Sequence, residues 1–332
     1  MIIKDKSITY KGKVYIAAEI HGVKNNSKIK YELLCNLNRY AGVTFFLVEV
    51  GCYEAEGLNQ FMATGDIDTL KRTIENRESC YANTKEELEF WVKLYSFNLL
   101  LPQDRKIKVV GIDCNGRFCD LILYAKYLNK TANIKKRLRK SIEKELFKRE
   151  IGLKQRECTT TLIFVVKSII KKLDYLDSII IEKFKIVLEE IYIKLCRLSN
   201  PTCEKMIREE YMVRRLATEM QNNPQAYFYG QLGYAHVYKI NAHLIPLADY
   251  IEQMLKESEL LVKIMYIYKD TIYQKKWENT WMKCELNMFD VENSVTKRLM
   301  ENGDFPLALL ENKEDVETCV LKANNKGFYI VI

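Results

Sequence analysis

The chain opens with short apolar runs that each end in an acid. Residues 13 to 20, Lys-Val-Tyr-Ile-Ala-Ala-Glu-Ile, read as a buried strand, and Phe45-Phe46-Leu47-Val48-Glu49-Val50-Gly51 reads as a second. Between them, Ser27 to Tyr40 places Ile29, Leu33, Leu34 and Leu37 at helical spacing. Strand, helix, strand in that order is the unit of a parallel sheet. The third strand is Ile107-Lys108-Val109-Val110-Gly111-Ile112-Asp113, and it too ends in a carboxylate.

The pattern then changes period. A helix begins at about Thr84, with Asn83 or Thr84 as its cap and Glu86 and Glu87 in its first turn, and runs to Leu100 before Pro102 stops it. From Asp120 to Met220 the spacing is almost wholly helical, broken near Gly152 and at Asn200-Pro201. We take residues 118 to 222 as a helical insertion. Strand periodicity returns at Ala226 to Gly230, helical spacing at Ala242 to Glu257, and a further strand at Leu261 to Tyr268. The tail from about residue 270 holds Trp277, Trp281, Phe289 and a closing strand over 327 to 332, without a motif. The expected fold is α/β: a central, mostly parallel sheet flanked by helices, with a large helical insertion forming a cap. No repeat or low-complexity linker divides it, so one domain is expected over residues 1 to 332.

Composition narrows the class. At 332 residues and 48% apolar content the chain can bury a full core. No stretch approaches the roughly 20 apolar residues of a membrane span, and charges at Lys4, Asp5 and Lys6 stand where a signal peptide needs an apolar run. A cytoplasmic protein without a membrane partner is the expectation. The 10 cysteines lack paired spacing and read as reduced thiols. Cys114 with Cys119 and Cys196 with Cys203 are too far apart for a zinc knuckle. The net charge of +8 is concentrated in runs such as Lys135, Lys136, Arg137, Arg139 and Lys140, then Lys148 and Arg149, interleaved with Glu143, Glu145 and Glu150. That interleaving fits ion pairs on a solvated helix face better than a nucleic-acid surface. The same charge on a cap could hold an acidic segment of a peptide substrate.

Two of the three histidines stand at strand ends: His21 just beyond the first strand, and His236 after what reads as a turn, Gly230-Gln231-Leu232-Gly233, leaving the fourth. Loops at the carboxyl ends of parallel strands converge on one edge, which gathers Glu19, His21, Glu49, Asp113 and His236 into one crevice. A histidine there can take a proton from water while a carboxylate orients its other nitrogen. The same donors suit Mn, Co, Zn or Fe(II), with Glu19, His21, Glu49 and His236 as the ligands. Glu49 interrupts an apolar run, where an uncompensated charge would be costly. His243 lies in an apolar helix start and reads as a core residue.

Seven ordered blocks resemble the erythromycin esterase-like superfamily: Ala18-Glu19-Ile20-His21-Gly22, Phe45 to Gly51, Leu58-Asn59-Gln60-Phe61-Met62-Ala-Thr-Gly65-Asp66, Asn83-Thr84-Lys85-Glu86, Val109 to Asp113, Arg208-Glu209-Glu210-Tyr211-Met212, and Gly230 to Val237. The likeness spans roughly residues 13 to 265. Ala18 departs from the glycine of the family's Gly-Glu-x-His block, while Gly233 and His236 match its closing Gly-x-x-His block and Arg208 and Glu209 its helical Arg-Asp/Glu-x-x-Met element. The superfamily groups macrolide esterases, described as using a histidine-activated water without metal, with haem-uptake proteins of the ChaN type and Tiki-type metalloproteases. The resemblance therefore implies a site and leaves the substrate open.

The expected activity is hydrolysis of an ester or peptide bond, in a peptide or a small-molecule ester. His21 would be general base or metal ligand, with Glu19 and Glu49 orienting it or ligating the metal. His236 would be the acid or second ligand, and Arg208 and Asp113 would hold substrate. The alternative is a non-catalytic haem or small-ligand binding protein with a tyrosine or histidine as axial ligand.

Overall fold

Among the described residues seven strands form one sheet, and every neighbouring pair in it is parallel. They are β1 (Val14–Glu19), β2 (Val43–Val48), β3 (Lys108–Gly111), β4 (Tyr227–Gly233), β5 (Leu261–Ile267), β8 (Leu307–Leu309) and β9 (Phe328–Val331), in the order β3-β2-β4-β1-β5-β9-β8. Strands β6 (Thr271–Lys275) and β7 (Trp281–Glu285) make a separate antiparallel pair. This computed structural model describes residues 11–21, 23, 25–75, 84–114, 117–147, 156–176, 178–237, 246–255, 261–267, 271–275, 281–285, 307–309 and 328–331. The sequence readings at Asn83, Lys148, Arg149, Glu150, Gly152, His243, Tyr268, Trp277 and Phe289 lie outside these residues, and so does the side chain of Glu145.

The unbroken apolar runs have a simple cause. Val14 to Ala18 are all buried because both faces of a parallel sheet are covered. On one face Tyr15, Ala17, Phe46, Val48 and Tyr229 pack on α1 (Asn26–Asn36) and α4 (Lys85–Leu99) through Ile29, Leu33, Phe90, Trp91 and Leu94. On the other, Val14, Ile16, Leu47, Val110 and Phe228 pack on α9 (Pro201–Asn222) and α11 (Leu247–Met254) through Met212, Leu216, Met220 and Ile251. Thr84 caps α4, its hydroxyl accepting from Glu87 N at 3.1 Å.

The cap runs from β3 to β4 as α5 (Phe118–Thr131), α6 (Lys136–Phe147), α7 (Arg156–Leu173), α8 (Ile179–Ser199) and α9. The first four close on a core of their own around Leu121, Leu128, Val166, Phe184 and Leu188, while α9 returns to cover the sheet. Among the described residues no helix is long and apolar enough to cross a membrane.

One local expectation changes. Residues 230 to 233 do not turn; they complete β4, and the short helix α10 (Tyr234–Val237) follows directly. Both glycines answer to close approach instead of turning: a Cβ on Gly230 would lie 3.2 Å from Leu47 Cβ, and one on Gly233 would lie 2.7 Å from His21 Nε2. The block at Leu58 to Asp66 is the end of helix α2 (Cys52–Thr64), closed by Gly65 at φ 72 in the left-handed conformation. Helix α3 (Ile67–Glu75) follows.

Candidate active site

The strand ends β1, β2 and β4 lie side by side, and Glu19 at the last position of β1 pairs in register with Gly233 at the last of β4. His21 follows two residues later, Glu49 is the first residue past β2, and His236 sits on α10. The crevice predicted for the carboxyl edge therefore contains Glu19, His21, Glu49 and His236, which line a cavity of about 540 Å³ with Arg208.

Together with Glu209, the glutamates and histidines form a chain of five. His21 Nδ1 meets Glu19 Oε1 at 2.7 Å and its Nε2 lies 3.5 Å from Glu49 Oε2. His236 mirrors this, with Nδ1 2.6 Å from Glu209 Oε1 and Nε2 3.7 Å from Glu49 Oε1. Glu49 is thus the shared centre, and its Oε1 also accepts from the amide of Gly233. Each histidine has an outer carboxylate of its own.

The outer carboxylates are themselves braced. Gln231 donates through Nε2 to Glu19 and accepts from Tyr229 Oη at 3.1 Å, because alternate residues of β4 face the same side. Glu209 comes from α9, so the His236 half of the site is built partly by a helix that belongs to the cap.

Electrostatics follow from this order. Burial works against the charged ring of each histidine but is outweighed by the flanking carboxylates, which raise both above the ordinary value: Glu19 and Glu49 act on His21, and Glu49 and Glu209 on His236. For Glu49, burial is again the largest influence and would raise its carboxyl. His236, His21 and Arg208 overcome it and hold the group well below the usual carboxylate range. The free site thus sets an ionised Glu49 between two rings whose charged forms its carboxylate favours.

Arg208 and Asp113 take up a different arrangement from the substrate clamp read in the sequence. Asp113 is fully buried and accepts both Arg208 Nε, at 2.7 Å, and Arg208 Nη2 in a bidentate pair. Arg208 lines the cavity; Asp113 stands behind it. Sequence reading gave no site role to Glu209 or Gln231. The adjacency of Arg208 and Glu209 in one helical block was the available signal for the first, and a polar residue inside an apolar strand for the second.

Among the described residues no three His, Cys, Asp or Glu side chains are grouped to hold an ion, and the Nε2 atoms of His21 and His236 are both turned on Glu49.

No protein-family model and no curated protein matches the chain. Solved structures do. A variant of erythromycin esterase with histidine replaced by asparagine, in its open conformation, aligns at TM-score 0.68 and 14% identity, over 89% of this chain and 81% of that one. A Bacillus cereus protein aligns at TM-score 0.66 and 16% identity, over 88% and 74%. A succinoglycan biosynthesis protein aligns at TM-score 0.64 and 15% identity, over 97% and 83%. The chain shares its fold with these proteins, erythromycin esterase among them.

Proposed function

We propose that this chain is a hydrolase that cleaves an ester or peptide bond with a water activated by His21. The support is the arrangement of Glu49 between two imidazoles that each carry a separate carboxylate on the far nitrogen. The fold shared with erythromycin esterase agrees with it.

Each residue then has a task that its surroundings suit. Glu19 holds the Nδ1 proton of His21, which leaves Nε2 as the nitrogen that exchanges protons with water. The Nε2 to Glu49 distance of 3.5 Å is long for a direct hydrogen bond, so a water bonded to Nε2 competes with a weak contact only. Arg208 faces the carbonyl oxygen of the substrate, and Asp113 fixes the guanidinium. His21 becomes a base only after losing the proton that Glu19 and Glu49 stabilise. Turnover should therefore keep rising with pH well above about 6.5, the ordinary histidine value, toward the value of about 11 to which those carboxylates raise His21.

The test is a screen of chromogenic esters and peptide pools with the wild type beside His21→Ala and His236→Ala. Each substitution should lower kcat/KM by at least about 100-fold, the low end of general acid-base contributions. A wild type inert on every pool, purified with a Soret band, would replace this reading with the ligand-binding alternative.

A further inference from the structure

The turn that carries Glu49 out of the sheet is held from the cap side by one buried acid. Glu190 on α8 is fully buried, and its Oε1 accepts from Cys52 N at 2.8 Å and from Tyr211 Oη on α9 at 2.8 Å. Cys52 N is the first amide of α2, a position where a carboxylate meets the partial positive charge of the helix end. Its other oxygen, Oε2, has no hydrogen-bond partner and lies against Gly51, where a Cβ would come within 2.5 Å of it. Glu54 reaches the same glycine: it accepts from Gly51 N at 2.7 Å, its Oε2 would lie 3.0 Å from a Cβ there, and it lines the active-site cavity. Two and three residues after Glu49, the backbone at Gly51 and Cys52 is thus held by a cap carboxylate and a site carboxylate. Burial pushes the Glu190 carboxyl up to about 7, and the neighbouring Glu54 adds to the rise.

An acid that burial penalises, with one oxygen unpartnered, is a costly way to fill a core. Its hydrogen bonds and its close approach fall on the Gly51–Cys52 turn and on Tyr211, so the cost is matched to fixing that turn. We infer that Glu190 is a positioning residue through which the cap sets the place of Glu49 between His21 and His236. The kcat part of its test rests on the hydrolase reading; the titration part does not.

The experiment follows the imidazole C–H signals of the three histidines through a pH titration, assigned with His21→Ala and His236→Ala, together with kcat and KM. In Glu190→Ala, Glu49 loses its fixed position, so the pKa values of His21 and His236 should fall toward the ordinary 6.5, and kcat should drop on the order of 10- to 100-fold with KM little changed. Glu190→Gln keeps an oxygen acceptor for Cys52 N and Tyr211 Oη and resembles the protonated acid, so it should restore both histidine titrations and bring kcat within about threefold of wild type. Leu188→Ala, in the buried face of the same helix, should lower the melting temperature while leaving the titrations where they were. If Glu190→Ala does not fold, Glu190→Asp, which withdraws the carboxylate by one methylene, should show the same shifts in smaller measure.

Histidine titrations unchanged in the Ala variant, or in Asp where Ala fails to fold, would overturn the inference. So would a Gln variant as damaged as Ala. Shifted titrations in a protein that hydrolyses nothing would leave Glu190 in its role and remove the hydrolase reading instead.

Discussion

His21 and His236 reach the same carboxylate from opposite sides, yet their surroundings differ. The His21 side chain is 40% exposed, lies on the loop after β1, and leans on Glu19, which Gln231 braces; both are parts of the sheet. The His236 side chain is 8% exposed and leans on Glu209 of α9, which arrives from the cap. The same residue type with the same number of carboxylate partners is thus placed once at the mouth and once in the interior. A ring at the mouth can exchange protons with water, whereas a buried ring keeps the proton that its partners stabilise. The division of labour between base and acid follows from where each ring stands, since their partners are alike.

Glu49 is the one residue common to both halves, so replacing it should have the largest effect. Glu49→Gln keeps the shape but removes the charge that raises both histidines. We expect kcat/KM to fall by about 1000-fold, within the range for loss of acid-base function, and both imidazole pKa values to drop. If only one histidine titration moves, Glu49 is not the shared centre and the mirrored arrangement fails.

Removing the rings themselves should separate the halves by stability. His236→Ala leaves Glu49 and Glu209 facing one another without the cation between them, and loss of one partner from a buried charge cluster costs about 3 kcal/mol. His21→Ala, at an exposed position, should cost less than about 1 kcal/mol. The pH dependence has a definite sign. His236 is raised in the folded protein, so its contribution is full below about 6.5 and is lost as pH rises through its higher folded value. Glu49 is depressed, so its contribution is full above about 4.3 and is lost as pH falls further. Thermal melts of wild type and His236→Ala should therefore differ most between those limits and converge toward alkaline pH. A gap that widens as pH rises would contradict the assigned direction.

What the sequence disclosed and what it concealed divide along the same line. The His21 half is local: an apolar run ending in Glu19, with His21 two residues on, places both groups at a strand end without knowledge of the rest of the chain. Glu49 is legible for the same reason, an acid at the end of an apolar strand. The His236 half depends on α9 bringing Glu209 to α10, and no periodicity states which turn of a long helix meets which loop, so Glu209, though it matched a family block, received no site role. Arg208 and Asp113 were each visible at their own position; their pairing required β3 and α9 to be brought together. The glycines of β4 misled for a physical reason. Glycine marks turns because it tolerates positive φ, but at Gly230 and Gly233 the missing side chain serves close packing in a strand.

The smallest expected effect sharpens the comparison best, because it should touch one half only. Gln231 bonds Glu19 through Nε2 and also reaches Asn26 O at 3.3 Å, which fixes the carboxylate that orients His21. Gln231→Leu keeps the volume and removes these bonds, leaving Tyr229 Oη without the acceptor it has at 3.1 Å. A lost buried bond of this kind costs about 1 to 3 kcal/mol of stability. Glu19 is then free to turn from Nδ1, so the His21 pKa should fall while that of His236, whose outer carboxylate is Glu209, stays in place. A kcat loss of about three- to tenfold is expected, since the base is less well oriented but still present. An equal movement of both histidines would mean that the two halves are coupled through Glu49 strongly enough to titrate as one unit, and the separation into a mouth base and an interior acid would have to be given up.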